Sequence, residues 1–230
     1  MKYIAIIAAE DKEIEALCEI MSDVSIEKIF NLDVYKGKIK GKNCLVVKSG
    51  VGKVNAGRTA QVIIDKFDVE YVINTGSAGA TSDSLKVGDI VIGTSLIQHD
   101  FDVTAFGREK GVIPEVGKFF KSDLSLVQRF EKVATSLGIT CKKGCIASGD
   151  KFIGNTGEKI EIADNFEALC TEMEGAAVAQ VCVLCNVPFI VARSISDNLI
   201  GDAKVDFEEY LTIASKMCAA IVYNVVCSTL

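Results

Sequence analysis

The sequence predicts an α/β fold in which helices pack on a largely parallel or mixed β-sheet. The first observation is a continuous apolar run at residues 3–9, which is typical of a strand buried on both faces. The second is that such runs alternate along the chain with segments whose apolar residues have helical spacing. The third is that glycine-rich turns separate several of them. Strands that alternate with helices predict a layered α/β domain.

Taken in order along the chain, the pattern predicts nine strands and six helices. Strands are expected at 3–9, 26–31, 33–40, 43–48, 71–76, 87–98, 144–149, 168–173 and 188–196. Helices are expected at 11–22, from the glycine-rich turn after residue 48 to about residue 67, at 122–137, at 156–165, at 175–186 and from about 207 to 227. Asp206 is the expected N-cap of the last helix. Residues 100–120 are expected to form a loop because they contain three glycines and Pro114. No linker or repeat interrupts the chain, so residues 1–230 are expected to form a single domain.

The charge and hydropathy of the chain disfavour two classes of partner. With a net charge of −6, the chain lacks the excess of Lys and Arg that binding to nucleic acid or to an anionic membrane surface requires. A spanning helix needs about 18 apolar residues, and the apolar stretch at 213–226 is interrupted by Lys216 and Asn224. The apolar N-terminus is followed at once by Glu10 and Asp11, so it predicts a first core strand rather than a signal peptide.

The nine cysteines are expected to be free and structural. Most lie in apolar runs, where a free thiol behaves as a small buried hydrophobe, and this usage favours a reducing cytoplasm. Cys182 and Cys185 are expected on a buried helix, and Cys141 and Cys145 on either side of a turn. The only histidine is His99, so neither pair forms a recognisable zinc motif and no metal site is expected.

The predicted strands end in segments rich in glycine, serine and carboxylates. In α/β folds, ligands bind at the carboxyl ends of strands, so we expect these segments to meet at one site. They are Ala9–Glu13, Ser49–Lys53, Thr75–Gly79, Ser148–Ile153, Glu172–Glu174 and Ser194–Asp197.

Each of these motifs alone also has an ordinary structural explanation. The glycine-rich segments 49–57 and 74–80 match neither a P-loop nor a dinucleotide fingerprint. Glu172 and Glu174 would suit the positive end of the helix that follows, and Asp197 could stabilise a simple turn.

Several long motifs that follow one another along the chain are together more specific than any single motif. They are the N-terminal strand leading to Glu13, KSGVGKVNA (48–56), INTGSAG (73–79), KVGDIV (86–91), HDFDVTAFG (99–107), ASGDKFI (147–153), EMEGAA (172–177), VPFIVARSISD (187–197) and DFEEYL (206–211). On these stretches the chain resembles the 5'-methylthioadenosine/S-adenosylhomocysteine nucleosidases over nearly its whole length. The resemblance implies a three-layer α/β sandwich of the nucleoside phosphorylase/hydrolase type with a central mixed sheet, a homodimer, and no metal or organic cofactor. It also implies hydrolytic release of adenine from these nucleosides and from 5'-deoxyadenosine, and a role in methionine salvage.

The resemblance also implies roles for individual residues. Glu13 matches the carboxylate that activates water, and Glu174 matches the one that holds the ribose hydroxyls, with Met173 against the sugar. Asp197, supported by Ser196, matches the acid that protonates the purine. Further positions implied to line the pocket are Val51, Ser77, Phe152, Ile153, Glu172, Arg193 and Phe207, with Phe152 and Ile153 against adenine. The positions implied to reach the 5'-alkylthio pocket of a partner subunit are Val103, Phe106 and Pro114.

Two positions depart from the family pattern. Glu10 stands where the family typically has Met near the sugar and sulfur, and Ala8 stands where Gly is usual. A carboxylate at position 10 could point away from the pocket or alter the preference at the 5' group. The reaction type is therefore better defined than the ranking of substrates.

Cleavage of an N-glycosidic bond explains why carboxylates are needed. The sugar gains positive charge as the base gains negative charge, so a carboxylate near the sugar and an acid at the purine both lower the barrier. An ordinary Asp has a pKa of about 3.9 and is ionised at neutral pH. Either burial and neighbouring carboxylates raise the pKa of Asp197, with ligand closure completing its desolvation, or Asp197 relays a proton from water.

Two other functions remain open from the sequence. A purine nucleoside phosphorylase would need cations for phosphate, and Lys53, Arg58 and Arg193 are the candidates. The loop after the strand at 71–74 offers none. A non-catalytic nucleoside-binding protein could share the scaffold, but it would have no need for the three acids.

Overall fold

The computed structural model describes residues 1–200 and 203–228, with the backbone alone over 203–209. The strands are β1 (Tyr3–Ala8), β2 (Ser22–Ile29), β3 (Leu32–Ile39), β4 (Lys42–Lys48), β5 (Val69–Ala80), β6 (Ile90–Gln98), β7 (Phe120–Lys121), β8 (Cys141–Ser148), β9 (Ala168–Glu172) and β10 (Phe189–Asp197). The helices are α1 (Asp11–Glu19), α2 (Lys53–Lys66), α3 (Leu124–Ser136), α4 (Thr156–Phe166), α5 (Gly175–Leu184) and α6 (Ala203–Cys227), with a short 3-10 helix at Thr104–Phe106. Most of the predicted elements are confirmed to within a few residues.

All ten strands belong to one mixed sheet. In the order β10-β6-β8-β9-β5-β1-β4-β3-β2, neighbouring strands are hydrogen-bonded, and β7 pairs with β6. Strand β10 also pairs in parallel with β5, so β5, β10, β6, β8 and β9 form a closed ring. The antiparallel strands β3 and β2 extend the sheet away from this ring. The ring therefore gathers the ends of several strands that are distant in sequence.

The residues of β1 show how the sheet separates two hydrophobic cores. Ala5 and Ile7 face a core that includes residues of α2 and α5. Ile4, Ile6 and Ala8 face a second core that includes residues of α1, α3 and α6. Because successive side chains of a strand point to opposite faces, a continuous apolar run fills both cores. The three-layer α/β architecture is thus confirmed, and the N-terminus is a core strand.

Side chains help to begin three of the helices. Asp123 accepts a hydrogen bond from the Leu126 amide (3.0 Å) at the start of α3. Asn155 accepts from the Gly157 amide (2.8 Å) and caps α4. In the first turn of α1, Glu13 reaches back to the amide of the N-cap residue. These caps satisfy amides that have no partner within the helix.

Two local predictions are wrong. Helix α6 begins at Ala203, so Asp206 lies within the helix instead of capping it, and its side chain is outside the described residues. Cys141 and Cys145 both lie on β8, where pairing with β6 outweighs the turn preference of the intervening Lys-Lys-Gly. All nine cysteines, which lie within the described part of the chain, are free as expected.

Helix α6 contains a longer apolar segment than the sequence analysis expected for residues 213–226. Its segment Tyr210–Cys227 has a mean hydropathy of 1.5 and is long and apolar enough to cross a membrane by length and composition alone. Lys216, which was expected to interrupt the run, lies on the exposed side. The opposite side, including Val222 and Val225, packs into the core against the sheet. The helix is therefore accounted for as a core helix.

We expect Ile73→Ala, in the centre of β5, to lower the free energy of unfolding by about 2–5 kcal/mol because it leaves a cavity in a fully buried region. The matched control is Ile26→Ala on β2, where the side chain is 61% exposed and the change should be within about 0.5 kcal/mol. Urea denaturation monitored by circular dichroism measures both. Equal losses for the two variants would contradict the assignment of the core.

Candidate active site

A cavity of about 370 Å³ opens at the carboxyl ends of the strands, within the size range of small-ligand sites. The residues that line it are Ala9, Glu10, Glu13, Val51, Asn74, Thr75, Gly76, Ser77, Ala78, Gly79, Lys151, Phe152, Ile153, Thr171, Glu172, Met173, Glu174, Arg193, Ser196 and Asp197. Each of the six predicted strand-end segments contributes at least one residue to this wall. The convergence that the sequence predicted is therefore present.

Glu13 is a buried carboxylate held by backbone amides. Its Oε2 accepts hydrogen bonds from the amides of Ala9 and Glu10, both at 3.0 Å. Its Oε1 accepts from the Ser77 amide at 3.2 Å. Burial raises the pKa of Glu13, although these amides and Arg193 oppose the shift. A Cβ at Gly76 would lie 2.7 Å from Oε1, so a glycine is needed there.

Glu172 and Arg193 form a buried ion pair at the floor of the cavity. The Arg193 guanidinium also donates to the Asn74 side chain at 2.5 Å. The Glu172 carboxylate accepts from the Ser148 hydroxyl and from the Gly175 amide (2.8 Å). Burial acts to raise the pKa of Glu172, but Arg193 and these hydrogen bonds outweigh it and hold the pKa below its ordinary value. Glu172 is thus an ionised structural anion.

Glu174 lies at the junction of β9 and α5 and differs sharply from Glu172. Its Oε1 accepts a hydrogen bond from the Gly52 amide at 2.8 Å. Burial, followed by the negative charge of Glu172, raises the pKa of Glu174 to about 8. In the structure as described, Glu174 therefore carries a proton at neutral pH. A ligand with hydroxyl groups would favour its ionised form, because a carboxylate accepts more hydrogen bonds than a carboxylic acid.

Asp197, at the end of β10, is only 2% exposed. Its Oδ2 forms an ion pair with the Lys159 ammonium at 2.6 Å, and its Oδ1 accepts from the Ser196 hydroxyl at 3.0 Å. From the sequence, either burial with neighbouring carboxylates or a proton relay from water was expected at Asp197. Burial is present, and the charged group in contact with the Asp197 carboxylate is the Lys159 ammonium.

The three cations proposed for a phosphate site are all occupied. Lys53 donates to Asp100 (2.5 Å) and to Gln98 (3.0 Å), and Arg58 donates to Asn31 at 2.6 Å. Arg193 is bound by Glu172, as described above. Lys151, at the outer rim of the cavity, pairs with Glu158 at 2.7 Å. The two cations among the described lining residues, Lys151 and Arg193, are thus both ion-paired with carboxylates, which leaves neither of them open to a phosphate dianion.

Known proteins share both the sequence and the fold of this chain. The profile of the phosphorylase superfamily matches residues 3–226. The 5'-methylthioadenosine/S-adenosylhomocysteine nucleosidase of Staphylococcus haemolyticus is 41% identical over 224 residues, which span 97% of this chain and 98% of the relative. The chain belongs to this nucleosidase family.

Solved structures of the family agree with this assignment. The nucleosidase of Neisseria meningitidis in complex with methylthio-immucillin-A is 39% identical, with a TM-score of 0.96 over 100% of both chains. The futalosine hydrolase of Helicobacter pylori is also similar, with 34% identity and a TM-score of 0.95 over 98% of this chain and 97% of the other. One fold therefore carries nucleosidases with different named substrates.

The structure brings together eleven of the twelve residues predicted for this chain's own nucleosidase site. They are Glu13, Val51, Ser77, Phe152, Ile153, Glu172, Met173, Glu174, Arg193, Ser196 and Asp197. Phe207, the twelfth, lies on α6 with its side chain outside the described residues. Val103, Phe106 and Pro114, predicted for a partner's site, do not line the cavity of their own chain as the structure describes it, and Phe106 is 85% exposed.

Three residues that hold site side chains in place were given no role from the sequence. Asn74 and Ser148 hold the Arg193–Glu172 pair, and Lys159 holds Asp197. Only Lys159 could have been identified from the sequence, because it shares the helical spacing of Ile162 and Phe166, which face the core. A lysine on the buried face of a helix needs an anionic partner. Among the described residues, no group of three or more His, Cys, Asp or Glu side chains is arranged to hold a metal ion.

We expect the Glu174→Gln variant to gain stability relative to the wild type as the pH rises. Because the pKa of Glu174 is about 8 in the folded protein and 4.5 in the unfolded reference, the native state binds the extra proton between these values. Wild-type stability therefore falls as the pH rises through this window, by at most about 1.4 kcal/mol for each unit of pKa difference. The glutamine variant has no such loss.

Urea denaturation at several values between about pH 5 and pH 8 measures the difference in unfolding free energy between the two proteins. Glu15→Gln, an exposed change on α1, serves as the control and should follow the wild type. Parallel stability curves for wild type and Glu174→Gln would show that Glu174 does not titrate as described.

Proposed function

We propose that this chain hydrolyses the N-glycosidic bond of 5'-methylthioadenosine and S-adenosylhomocysteine, releasing adenine and the 5-substituted ribose. The observation that carries the proposal is that Glu13, Glu174 and Asp197, from three distant segments, line one cavity of a family member. The Staphylococcus haemolyticus relative is named for these two substrates. The phosphorylase alternative is not favoured, because the candidate cations are already paired within the protein.

The two ends of the cavity suit the two halves of a nucleoside. All of the residues concerned line the cavity: Phe152 and Ile153 offer an apolar surface for the adenine ring, and Glu13, Met173 and Glu174 would surround the sugar. As the glycosidic bond breaks, positive charge develops on the ribose, and buried carboxylates stabilise it strongly because water is excluded.

Glu13 is the residue that would activate water. A general base must be ionised when it accepts a proton, yet basic enough to accept it, and burial moves the pKa of Glu13 in that direction. The amides of Ala9, Glu10 and Ser77 fix the carboxylate on the cavity wall. Glu174 would bind the ribose hydroxyls once it is ionised.

Asp197 is the residue that would deliver a proton to the purine. In this structure its carboxylate is ion-paired with the Lys159 ammonium. This pairing favours the relay of a proton through Asp197 over a carboxylic acid stabilised by neighbouring carboxylates. The Ser196 hydroxyl at 3.0 Å orients the second oxygen.

The preference among substrates follows from the 5' end of the sugar. Glu10 lines the cavity next to Glu13, where the family pattern has Met, and its side chain also takes part in the capping box of α1. We propose 5'-deoxyadenosine as a further substrate, and futalosine belongs in the test panel because a futalosine hydrolase shares the fold.

We further propose that the chain acts as a cytoplasmic homodimer in methionine salvage. The free cysteines support a reducing compartment. Exposed apolar residues support an interface, namely Phe106 on the 3-10 helix, Val54 on α2 and Leu184 on α5. Phe106, with Val103 and Pro114, would complete the 5'-alkylthio pocket of the partner subunit.

We expect Glu13→Gln to lower the rate of adenine release from 5'-methylthioadenosine by about 10²–10⁴-fold, because the amide cannot act as a base. Wild-type activity should be the same with and without phosphate and should yield free methylthioribose. Glu15→Gln on the same helix, with an exposed side chain, should remain fully active. Phosphate dependence with formation of a ribose 1-phosphate would contradict hydrolysis, and binding of the nucleoside without turnover would indicate a binding protein.

We expect Phe106→Ala to lower kcat/KM for 5'-methylthioadenosine by about tenfold, while 5'-deoxyadenosine, which lacks the alkylthio group, is affected less. Phe30→Ala, an exposed phenylalanine at the β2–β3 turn, is the control. Sedimentation velocity on the same samples reports the oligomeric state. An active wild-type monomer, or equal losses on both substrates, would contradict the role of the partner subunit.

A further inference from the structure

Lys159 is a buried cation that the proposed reaction does not yet use. Its side chain is 1% exposed, and it is one of the largest fully buried side chains in the described part of the molecule. The ammonium donates to Asp197 Oδ2 at 2.6 Å and to the Asn198 carbonyl at 2.7 Å. Burial of an ammonium is costly unless it is paired, so these two contacts explain why it is retained there.

The first turn of α4 holds the segment after β10 at a second point. The Thr156 hydroxyl donates to the Leu199 carbonyl at 3.2 Å, one turn before Lys159. The helix starts at Thr156, three residues after Ile153, which lines the cavity with Phe152 and would contact adenine. One short helix therefore joins the residues that would contact the base to the acid that would protonate it.

The contacts around Asp197 leave its carboxylate little freedom to rotate. Lys159 binds Oδ2, while the Ser196 hydroxyl binds Oδ1 at 3.0 Å. On the strand beside it, a Cβ at Gly79 would lie 2.8 Å from Oδ2, so the carboxylate packs directly on the backbone of β5. Oδ1 and Oδ2 of Asp197 therefore have different partners. The Lys159 ammonium occupies Oδ2 and so determines the orientation in which the carboxylate meets a ligand.

We propose that Lys159 is a positioning residue that holds the Asp197 carboxylate in the orientation required for proton delivery to the purine. The proposal rests on the proposed nucleosidase function. Lys159 acts through Asp197 and does not line the cavity itself. Its effect should lie in the chemical step, because a misplaced catalytic group can cost about 100-fold in rate while the substrate still binds.

The first test is steady-state hydrolysis of 5'-methylthioadenosine by Lys159→Met, which keeps the length of the side chain and removes the charge. We expect kcat to fall about 100-fold with KM changed by less than about threefold. The control is Lys132→Met, an exposed lysine on α3, which should match the wild type. A kcat for Lys159→Met within about threefold of the wild type, or a loss confined to KM, would overturn the proposal.

The second test separates positioning from a general structural role and does not depend on the folding of Lys159→Met, in which Asp197 is left unpaired. Asp197→Asn is compared with the double variant Lys159→Met/Asp197→Asn, which has no unpaired charge. With enzyme in excess over substrate, we expect their rates of adenine release to agree within about threefold, because Lys159 acts only through Asp197. A further loss of about 100-fold in the double variant would assign Lys159 a separate role and overturn the proposal.

The two levels of failure can be told apart. A wild-type protein that releases no adenine from any nucleoside of the panel overturns the proposed function and this inference with it. An active wild type with an active Lys159→Met variant overturns the inference alone. Circular dichroism spectra of all variants establish that the rates compare folded proteins.

Discussion

The ion pair between Glu172 and Arg193 fixes the end of β9 against β10, and the reactive groups are arranged around it. Its carboxylate also accepts from the Gly175 amide, so the start of α5 is fixed by the same charge. The charges of the pair also act on Glu174, because Glu172 raises the pKa of Glu174 and Arg193 lowers it. A buried pair of this kind adds little net stability compared with apolar residues. What it contributes is a fixed electrostatic environment for the acids around it.

Much of the fold could be predicted because local pattern and tertiary packing agree. The apolar run of β1 fills both cores, and Asn155 occupies a capping position that its side chain suits. Prediction failed where tertiary contacts oppose the local preference. The Cys141–Cys145 segment favours a turn but pairs with β6. The start of α6 was misplaced for a local reason, because Ala203 and Lys204 are good helix formers and precede Asp206.

For the site, the sequence predicted which residues meet but not the protonation states of their side chains. Glu13, Glu174 and Asp197 stand in long motifs, so their meeting in one cavity could be anticipated from the sequence. The protonation states of the site's acids could not be anticipated, because they depend on neighbours that are remote in the chain. Glu172 and Glu174 are two residues apart, yet Arg193 lowers the pKa of the first, while burial raises that of the second. The pairing of Lys159 with Asp197 was not predicted for the same reason, because the two residues are 38 positions apart.

The proton on Glu174 has a consequence for how ligand affinity is measured. With a pKa of about 8, Glu174 holds this proton at neutral pH, and a ligand whose hydroxyls bind the ionised carboxylate must displace it into the solvent. The heat of binding then includes the heat of protonating the buffer. Calorimetric enthalpies collected in phosphate and in Tris would differ, and their difference would count the protons released per ligand bound.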